Sequence, residues 1–551
     1  GGYDTNENSE CYFIIYKNYG GELATIMTQN DSYSPFQTYD WLKSEEDNLY
    51  LESLKTGEIY VEKYSDSTGD WIYAIGPIKD SSGAITAVIE IGKNFYAFNV
   101  ENRAVRRNVI IEVITAIIIV LMIFIEISLL TNVLWSRKRY LKNSSAAYDR
   151  VSFSRFLGFL YEFTFSLPLG FIPVYAIKLL EGKEFMGMTA EMAGAFPITL
   201  STIGIVIGTI LASIIMPKLK WRKTFVVGLF LAAAGLFLTG LANTFIMFTL
   251  MMFFTGIGRG LLQMAARGFI NTEDNQDKRG FAFSNLIAGA VVGINVGVVI
   301  GGQIADHISY SAVFFASALI VPMVIMFILF VIEKNEKDDV VKSFKDTTSG
   351  KRSMTIVEFL SRPMVWGFFL FICVPNAVAY MFLQYTFLII AEGAGFSTTD
   401  VGRSFILNGM AMFYIGPLLY DFAVKRIGLK WTMISSIFMW SFSLLVFAFT
   451  GNIVGAIITI FIMGISEGYG NGAVYIFYTD KIKEVSEYGV EKALAVNEFM
   501  TNIGLAVGPI IFAGAMLLGM RPGMLLIAIS MTVLAVIYFV MYAVATRREI
   551  Q

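Results

Sequence analysis

The sequence predicts an all-α membrane bundle of twelve transmembrane helices in two pseudo-symmetric six-helix halves, preceded by one extra transmembrane helix and a small α+β domain. Three observations carry this. First, 55% of the 551 residues are hydrophobic and mean hydropathy is +0.62, more apolar surface than a soluble core of that length buries. Second, the charged residues, only 16% of the chain, cluster between apolar runs of about 20 residues, the length that crosses about 30 Å of hydrocarbon. Third, residues 1–106 are polar, rich in Tyr, Asp, Glu and Gly, and alternate apolar with polar positions.

The same numbers exclude several classes. A net charge of -2 supplies no basic stripe, so nucleic acid is discarded as a partner. Cys11 and Cys373 cannot form a disulfide framework, and His307, a single histidine, cannot build a histidine metal cluster. No nucleophile triad, Walker loop or EF-hand pattern occurs, so no enzyme, cofactor or metal is expected. Gly256-x-Gly-x-Gly260 reads as a membrane-helix feature rather than a nucleotide loop. The chain opens Gly1-Gly2-Tyr3 without methionine, basic region or apolar leader, and is read as a processed or truncated piece lacking an upstream anchor or signal.

Within residues 1–106, runs at 12–16 and 22–28 flank Lys17-Asn18-Tyr19-Gly20-Gly21, a hairpin signal. Residues 41–54 read as a helix. Three more strands follow at 58–64, 70–77 and 84–91, joined by Asp-Ser-x-Gly turns at 66–69 and 80–83. Trp71 to Gly83 and Val88 to Gly92 resemble the last strands of Cache domains, the PAS-like extracytoplasmic sensors of bacterial receptors, and a span at 109–135 follows directly, as in such receptors. The long helix that precedes the first strand in that family is missing. Tyr60, Tyr64, Trp71 and Tyr73 on neighbouring strands either line a small-ligand pocket or pack the core.

Thirteen spans are expected, starting near 109, 155, 194, 224, 245, 280, 311, 364, 400, 431, 453, 492 and 522. Glu126 in the first of them either contacts the bundle or an oligomer partner, or is tolerated where it stands. Bases at 137–142, 218–223, 278–279, 334–352, 425–430, 481–483 and 547–548 fall in alternate loops, which are therefore cytoplasmic. Loops at 242–244, 306–309, 391–400 and 450–453 carry no Lys or Arg, so residues 1–106 lie outside and the carboxy terminus inside a cell membrane. The expected organisation is a sensor domain 1–106, a span 109–135, a linker 136–154, one half 155–333, a central loop 334–363 and a second half 364–546.

The halves repeat. Gly256-Ile-Gly-Arg259-Gly260-Leu-Leu-Gln263 in the fourth bundle span matches Gly464-Ile-Ser-Glu467-Gly468-Tyr-Gly-Asn471 in the tenth, Arg259 aligning with Glu467. Glycine-rich spans follow each: Gly289, Gly293, Gly297, Gly301 and Gly302 in the fifth, Gly504, Gly508, Pro509 and Gly514 in the eleventh. Glycine every four residues lets helix backbones approach closely. These motifs resemble the major facilitator superfamily, over about residues 150–546, whose fifth span carries a Gly-xxx-Gly-Pro-xx-Gly-Gly type motif and whose fourth carries a buried arginine. The family's cytoplasmic Gly-xxx-Asp-Arg/Lys-x-Gly-Arg-Arg/Lys motif is degenerate at Pro217 to Lys223. It is closer, with stretched spacing, at Gly416, Asp421, Arg426 and Gly428.

The resemblance implies that spans one, four, seven and ten line a central cavity. There stand Glu162 and Arg259, at similar depths and able to pair; Gln263; Asn376 and Gln384; and Glu467 and Asn471. Ionisable residues inside a membrane are costly unless paired or hydrated, and mark ion or substrate paths by default. Glu162 or Glu467 is then the protonatable group and Arg259 its counter-charge, or all three form a structural ion-pair network. Pro168, Gly170 and Pro173 kink the first span. The expected function is a secondary transporter of a small solute, proton-coupled, with an extracytoplasmic ligand-sensing domain. The alternative is a receptor whose bundle relays a signal to a cytoplasmic output absent from this chain.

Overall fold

The structure, a computed structural model, describes residues 11–19, 22–29, 34–38, 48–66, 69–142, 150–273, 275–332 and 354–550. Outside them lie Gly20-Gly21, the start of the helix expected from residue 41, the centre of the 66–69 turn, the middle of the linker and nearly all of the polar stretch between the halves. The chain forms two compact units, Gly1–Ile118 and Ile119–Gln551.

In the first unit β1 (Cys11–Tyr19), β2 (Glu22–Thr28), β3 (Tyr60–Asp66), β4 (Gly69–Lys79) and β5 (Ile85–Asn94) form an antiparallel sheet of order β2-β1-β5-β4-β3. Helix α1 (Leu49–Thr56) packs on β4 and β5, capped at one end by the Asn48 side chain and ended by Gly57 at φ 76. Strand alternation sends Ile14, Tyr16, Ile75 and Val88 into the core with Leu23 and Tyr50. Register places Glu90 opposite both Ile14 and Ile75. Its buried carboxylate accepts hydroxyl hydrogens from Tyr12 (2.6 Å), Tyr16 (3.0 Å) and Tyr50 (2.6 Å). A Cβ at Gly92 would stand 2.2 Å from the Tyr12 ring, so glycine there is what lets Tyr12 fold over β5 to reach Glu90.

Helix α2 (Phe95–Lys142) leaves β5 without a break, and its part from Ile119 belongs with the second unit. There Glu126, 2% exposed, accepts three hydrogen bonds from Arg155, at 2.6, 3.0 and 3.0 Å. Leu130, Val133 and Leu134 pack against the bundle core beside it. The polar residue of the extra span thus faces the bundle, the one orientation that spares a carboxylate from lipid.

The bundle begins with α3 (Ser154–Ser166) and α4 (Ile172–Leu179), one span interrupted at Pro168 and Gly170, as its prolines predict. It continues through α5 (Ala190–Ala193), α6 (Phe196–Gly240), α7 (Phe245–Ile270), α8 (Gln276–His307) and α9 (Tyr310–Met326). In the second half α10 (Ile356–Ser361) precedes a span built of α11 (Pro363–Phe368), α12 (Val374–Met381) and α13 (Phe387–Gly393). Single π-helical turns at Phe369–Cys373 and Phe382–Thr386 join these three pieces. Then come α14 (Thr398–Met410), α15 (Gly416–Thr450), α16 (Ile453–Lys481), α17 (Lys483–Tyr488), α18 (Val490–Met516) and α19 (Met520–Ile550).

Among the described residues ten helical stretches are long and apolar enough to cross a membrane. Two of them, Ala190–Gly240 and Thr398–Thr450, run to 51 and 53 residues, far beyond the roughly 20 that a bilayer needs. Each contains one residue off the helix, Lys220 (φ 66, ψ 162) and Gly428 (φ 81, ψ 160). Gly208 and Gly228, on either side of Lys220, both abut α7 between Ile257 and Leu261. Gly416 and Ser436, on either side of Gly428, both abut α16 between Gly468 and Gly470. The chain therefore reverses at both points, and each long stretch is a hairpin of two helices.

The repeat seen in the sequence holds in space. One and the same sequence separation divides the helix caps Thr189 and Ser397, the reversals Lys220 and Gly428, the caps Thr244 and Asn452, and Arg259 and Glu467. Close packing within each half follows the glycines. Gly289, Gly293, Gly297 and Gly301 of α8 set the α3–Leu167 backbone against their own, a Cβ at each meeting a carbonyl oxygen at 1.8–2.9 Å. Gly504 and Gly508 of α18 pack on α12, a Cβ at Gly504 standing 2.8 Å from the Val374 carbonyl oxygen and one at Gly508 2.6 Å from the Met381 side chain.

Contacts between the halves gather at the base-poor end of the bundle, where α4, α8, α13 and α18 terminate and α14 begins. There Lys178 pairs with Glu392 at 2.8 Å, and the Tyr385 hydroxyl donates to the Glu191 carbonyl. Gly302 meets Thr398, and Gly402 meets Val299. Somewhat deeper, the Thr199 hydroxyl donates to the Ala506 carbonyl at 2.9 Å. At the base-rich end an ion pair between partly exposed side chains, Arg267 and Glu498 at 2.8 Å, links the halves.

Candidate functional site

Helix spacing builds the site. Thr255, Arg259 and Gln263 of α7 stand four residues apart, as do Asn376, Tyr380 and Gln384 of the seventh bundle span, and Glu467 and Asn471 of α16. Residues at i and i+4 share a helix face, so each span carries one polar stripe on an otherwise apolar surface.

Two of these stripes meet α3. Arg259 donates to Glu162 at 2.8 Å, with the Glu162 side chain only 7% exposed and Arg259 22% exposed. The guanidinium also lies 5.5 Å from the Phe165 ring centre. Its Nε is buried and has no hydrogen-bond partner among the described residues. From the other half, Tyr380 lies within electrostatic reach of Glu467, Glu162 and Arg259, with Gln384 beside it, and Asn471 stands beside Glu467. Tyr161, next to Glu162, is buried against the same charges. Thus residues of four spans, two from each half, converge at the middle of the bundle.

Beside this cluster lies a small, partly open cavity of about 50 Å³. Phe165, Pro168, Leu169 and Ile172 of the broken first span line it, with Ile198, Ser201, Thr202 and Ile205 of α6, Leu236 and Met252, and Thr255, Arg259 and Gln384. The break supplies the concavity, because an unbroken helix would keep Pro168 and Leu169 in its own cylinder. Gln384 reaches it from within the π-helical turn Phe382–Thr386, where an extra residue rotates the face that follows. The Thr202 and Thr255 hydroxyls donate to carbonyls of their own helices and offer lone pairs to a guest. The chemistry is that of a mostly apolar recess with one guanidinium, one amide and three hydroxyls at its wall.

The structure brings Glu162, Arg259, Gln384, Glu467 and Asn471 together. It leaves Gln263 one turn toward the base-rich end, and Asn376 two turns from Gln384 with its Oδ1 buried and without a hydrogen-bond partner among the described residues. Asp421 and Arg426 are exposed near the Gly428 reversal and form no ion pair among the described residues. A Cβ at Gly514 would meet nothing within 4 Å, so that glycine takes no part in the eleventh span's close packing. In the first unit Tyr60 and Tyr64 occupy an edge strand, with Tyr64 half exposed. Trp71 packs edge-on to Tyr12, and Tyr73 lies against the core. Sequence reasoning missed Tyr380, Ser201 and Thr202. The four-residue spacing of Asn376, Tyr380 and Gln384 was the available signal for the tyrosine. It also missed Glu90, whose place inside an apolar strand was the cue.

The sequence model of the Major Facilitator Superfamily matches residues 155–490. Over 182 residues the chain is 30% identical to multidrug resistance protein MdtG of Klebsiella pneumoniae (strain 342), a stretch covering 32% of this chain and 42% of that protein. It is 28% identical, over the same length, to MdtG of Salmonella choleraesuis (strain SC-B67), covering 43% of it. The chain therefore spans less than half the length of the curated relatives it matches. Among solved structures, the nucleoside transporter NupG superposes with a TM-score of 0.53 at 14% identity, covering 72% of this chain and 99% of that one. A mutant of the same transporter superposes at 0.54 and 15%, covering 71% and 100%. At these identities the likeness is one of fold.

Proposed function

The chain belongs to the Major Facilitator Superfamily, and from that premise we propose that it is a proton-coupled secondary transporter of small amphipathic organic solutes with an attached ligand-sensing domain. The observation that carries the reading is the central cluster, where Glu162 and Arg259 of one half face Tyr380, Gln384 and Glu467 of the other beside an apolar recess. A carboxylate at the middle of a bundle, in reach of a second half that moves against the first, is suited to carry a proton through the cycle. Glu467 is the proton site in this reading, because Glu162 already has Arg259 as partner. Arg259, Gln384, Ser201 and Thr202 orient the solute against the aromatic and aliphatic wall.

The broken first span and the π-helical turns of the seventh support movement, since each is a place where helix geometry changes at low cost. The name of the MdtG relatives makes drug-like solutes the first to test. The alternating basic loops support a cell-membrane protein with its carboxy terminus inside and its sheet domain outside. Counting both hairpins as two spans and α3–α4 as one supports the parse of one plus twelve. The sheet order β2-β1-β5-β4-β3 and the direct passage from β5 into α2 support the Cache-like reading of the first unit.

The test is uptake of a panel of labelled drugs and metabolites into liposomes carrying the full chain, with and without an imposed pH gradient. Saturable uptake that the gradient accelerates, and that Glu467→Gln uncouples while solute exchange continues, is the expected result. Gradient-insensitive uptake removes the proton, and reproducible absence of uptake by folded protein removes the transporter.

A further inference from the structure

Asp306, the penultimate residue of α8, reaches across to the other half. Its carboxylate accepts the backbone N–H of Thr398 at 2.9 Å and of Thr399 at 2.8 Å, and the Thr399 hydroxyl at 2.6 Å. These are the first N–H groups of α14, donors that no helix can satisfy for itself and that carry the positive end of its dipole. The remaining donors of that turn are met within the second half: Ser397 and Asp400 form a reciprocal capping box, and Asp400 also holds Arg403. The start of α14 is thus capped twice, once by its own half and once by the opposite one.

Beneath this contact α8 and α14 run antiparallel along a seam of glycines. A Cβ at Gly302 would stand 2.6 Å from the Thr398 carbonyl oxygen, one at Gly402 2.7 Å from Val299 Cα, and one at Gly409 2.5 Å from the Asn295 amide. The seam adjoins the break of the first span, since a Cβ at Gly170 would stand 3.0 Å from Val298 of α8 and 3.6 Å from Val401 of α14, and Pro168 and Leu169 of that same break line the recess.

We infer that Asp306 is the positioning residue of the outer gate: its carboxylate latches the amino terminus of α14 and must release it for the cavity to open outward. Charge-assisted bonds to backbone dipoles hold strongly at close range, yet water can replace each one, so the latch is firm when made and reversible. The Lys178–Glu392 pair at the same end is about half exposed on both sides, where solvent screens it. The latch rests on the proposed two-half cycle and orientation.

It is tested in the full chain with Cys11→Ser and Cys373→Ser and one reporter, Gln384→Cys, using a membrane-impermeant maleimide. The reagent is applied from outside in right-side-out vesicles and from inside in inverted ones. Asp306→Ala is expected to raise outside labelling on the order of tenfold over the parent and to lower inside labelling, the signature of a shifted population. Asp306→Asn, which keeps an acceptor oxygen, is expected to fall between them. A merely structural loss would alter both faces alike. Gly302→Trp, a wedge in the same seam, separates the two ways to fail. If the wedge admits reagent from outside and Asp306→Ala does not, the latch is overturned while the rocking cycle stands. If neither variant admits it from outside although both react from inside, the cycle falls and the latch with it.

Discussion

At the scale of single residues the central ion pair sets the terms. Glu162 is nearly inaccessible, so Arg259→Gln leaves a buried carboxylate without its partner, a loss of about 3–5 kcal/mol for pairs of this kind. Thermal unfolding in detergent is expected to show that loss, and Glu162→Gln made together with Arg259→Gln is expected to recover most of it. Uptake should fail in both variants, since the solute contact is gone whether or not the fold is rescued. In the sheet domain, burial and the neighbouring Glu90 carboxylate hold the Tyr50 phenol well above the ordinary tyrosine range. The neutral form is the one the fold favours, so this contribution is complete below the unfolded value of 10.0 and is lost as pH rises beyond it. In an alkaline titration of the full chain Tyr50 is expected to ionise only as its domain unfolds. Tyr50→Phe removes that step and weakens the domain by about 1–3 kcal/mol through the lost bond to Glu90. The pairing of Glu162 with Arg259 was legible because charges are scarce in apolar runs and stood at matching depths. Tyr380 carried only its four-residue spacing from Asn376 and Gln384 as a signal, because an aromatic residue in a membrane helix looks the same whether it lines a site or fills a core.

At the scale of elements the two reversals make a natural experiment. Lys220 adopts positive φ at the place where the second half has Gly428, a conformation that strains a residue with a Cβ and suits glycine. Lys220→Gly is expected to leave stability unchanged or raise it by up to about 1 kcal/mol, and Gly428→Ala to lower it by a similar amount. Paired melting curves check the contrast. The α3–α8 seam offers the opposite case: Gly289→Leu would drive a side chain into the Arg155 carbonyl, 1.8 Å from the first added carbon. The expected outcome is loss of folded protein on size-exclusion chromatography, whereas Gly514→Leu, with open space around it, is expected to elute as the parent does. Period and length made the individual spans readable, and the glycine ladders announced close packing. Which neighbour each ladder faced was not readable, since spacing fixes a helix face and says nothing of what lies against it. For the same reason Gly302 was grouped with the glycines that pack on α3, although it alone of that run meets α14.

At the scale of the whole molecule, the repeated caps, reversals and central residues describe two copies of one helical plan, and that plan was legible from the matched motifs around Arg259 and Glu467 and the glycine-rich spans that follow them. The cavity was not. It opens through the break at Pro168 and through α6 side chains such as Ser201 and Thr202, whose small hydroxyls are as common in packed membrane interfaces as in binding sites. Glu126 and Arg155, 29 residues apart in the chain, carry a further consequence, for biogenesis. As α2 leaves the ribosome its carboxylate opposes partition into lipid by about 3 kcal/mol, a cost that the long apolar run around it outweighs. Only when Arg155 has been synthesised does the acid find its base. Membrane entry of the extra helix therefore rests on its own apolar run, and Arg155, translated after it, fixes how the helix then seats against the bundle. Glu126→Leu is expected to leave insertion of α2 unchanged in glycosylation mapping of chains stopped before Arg155, and to loosen α2 from the bundle in the full chain.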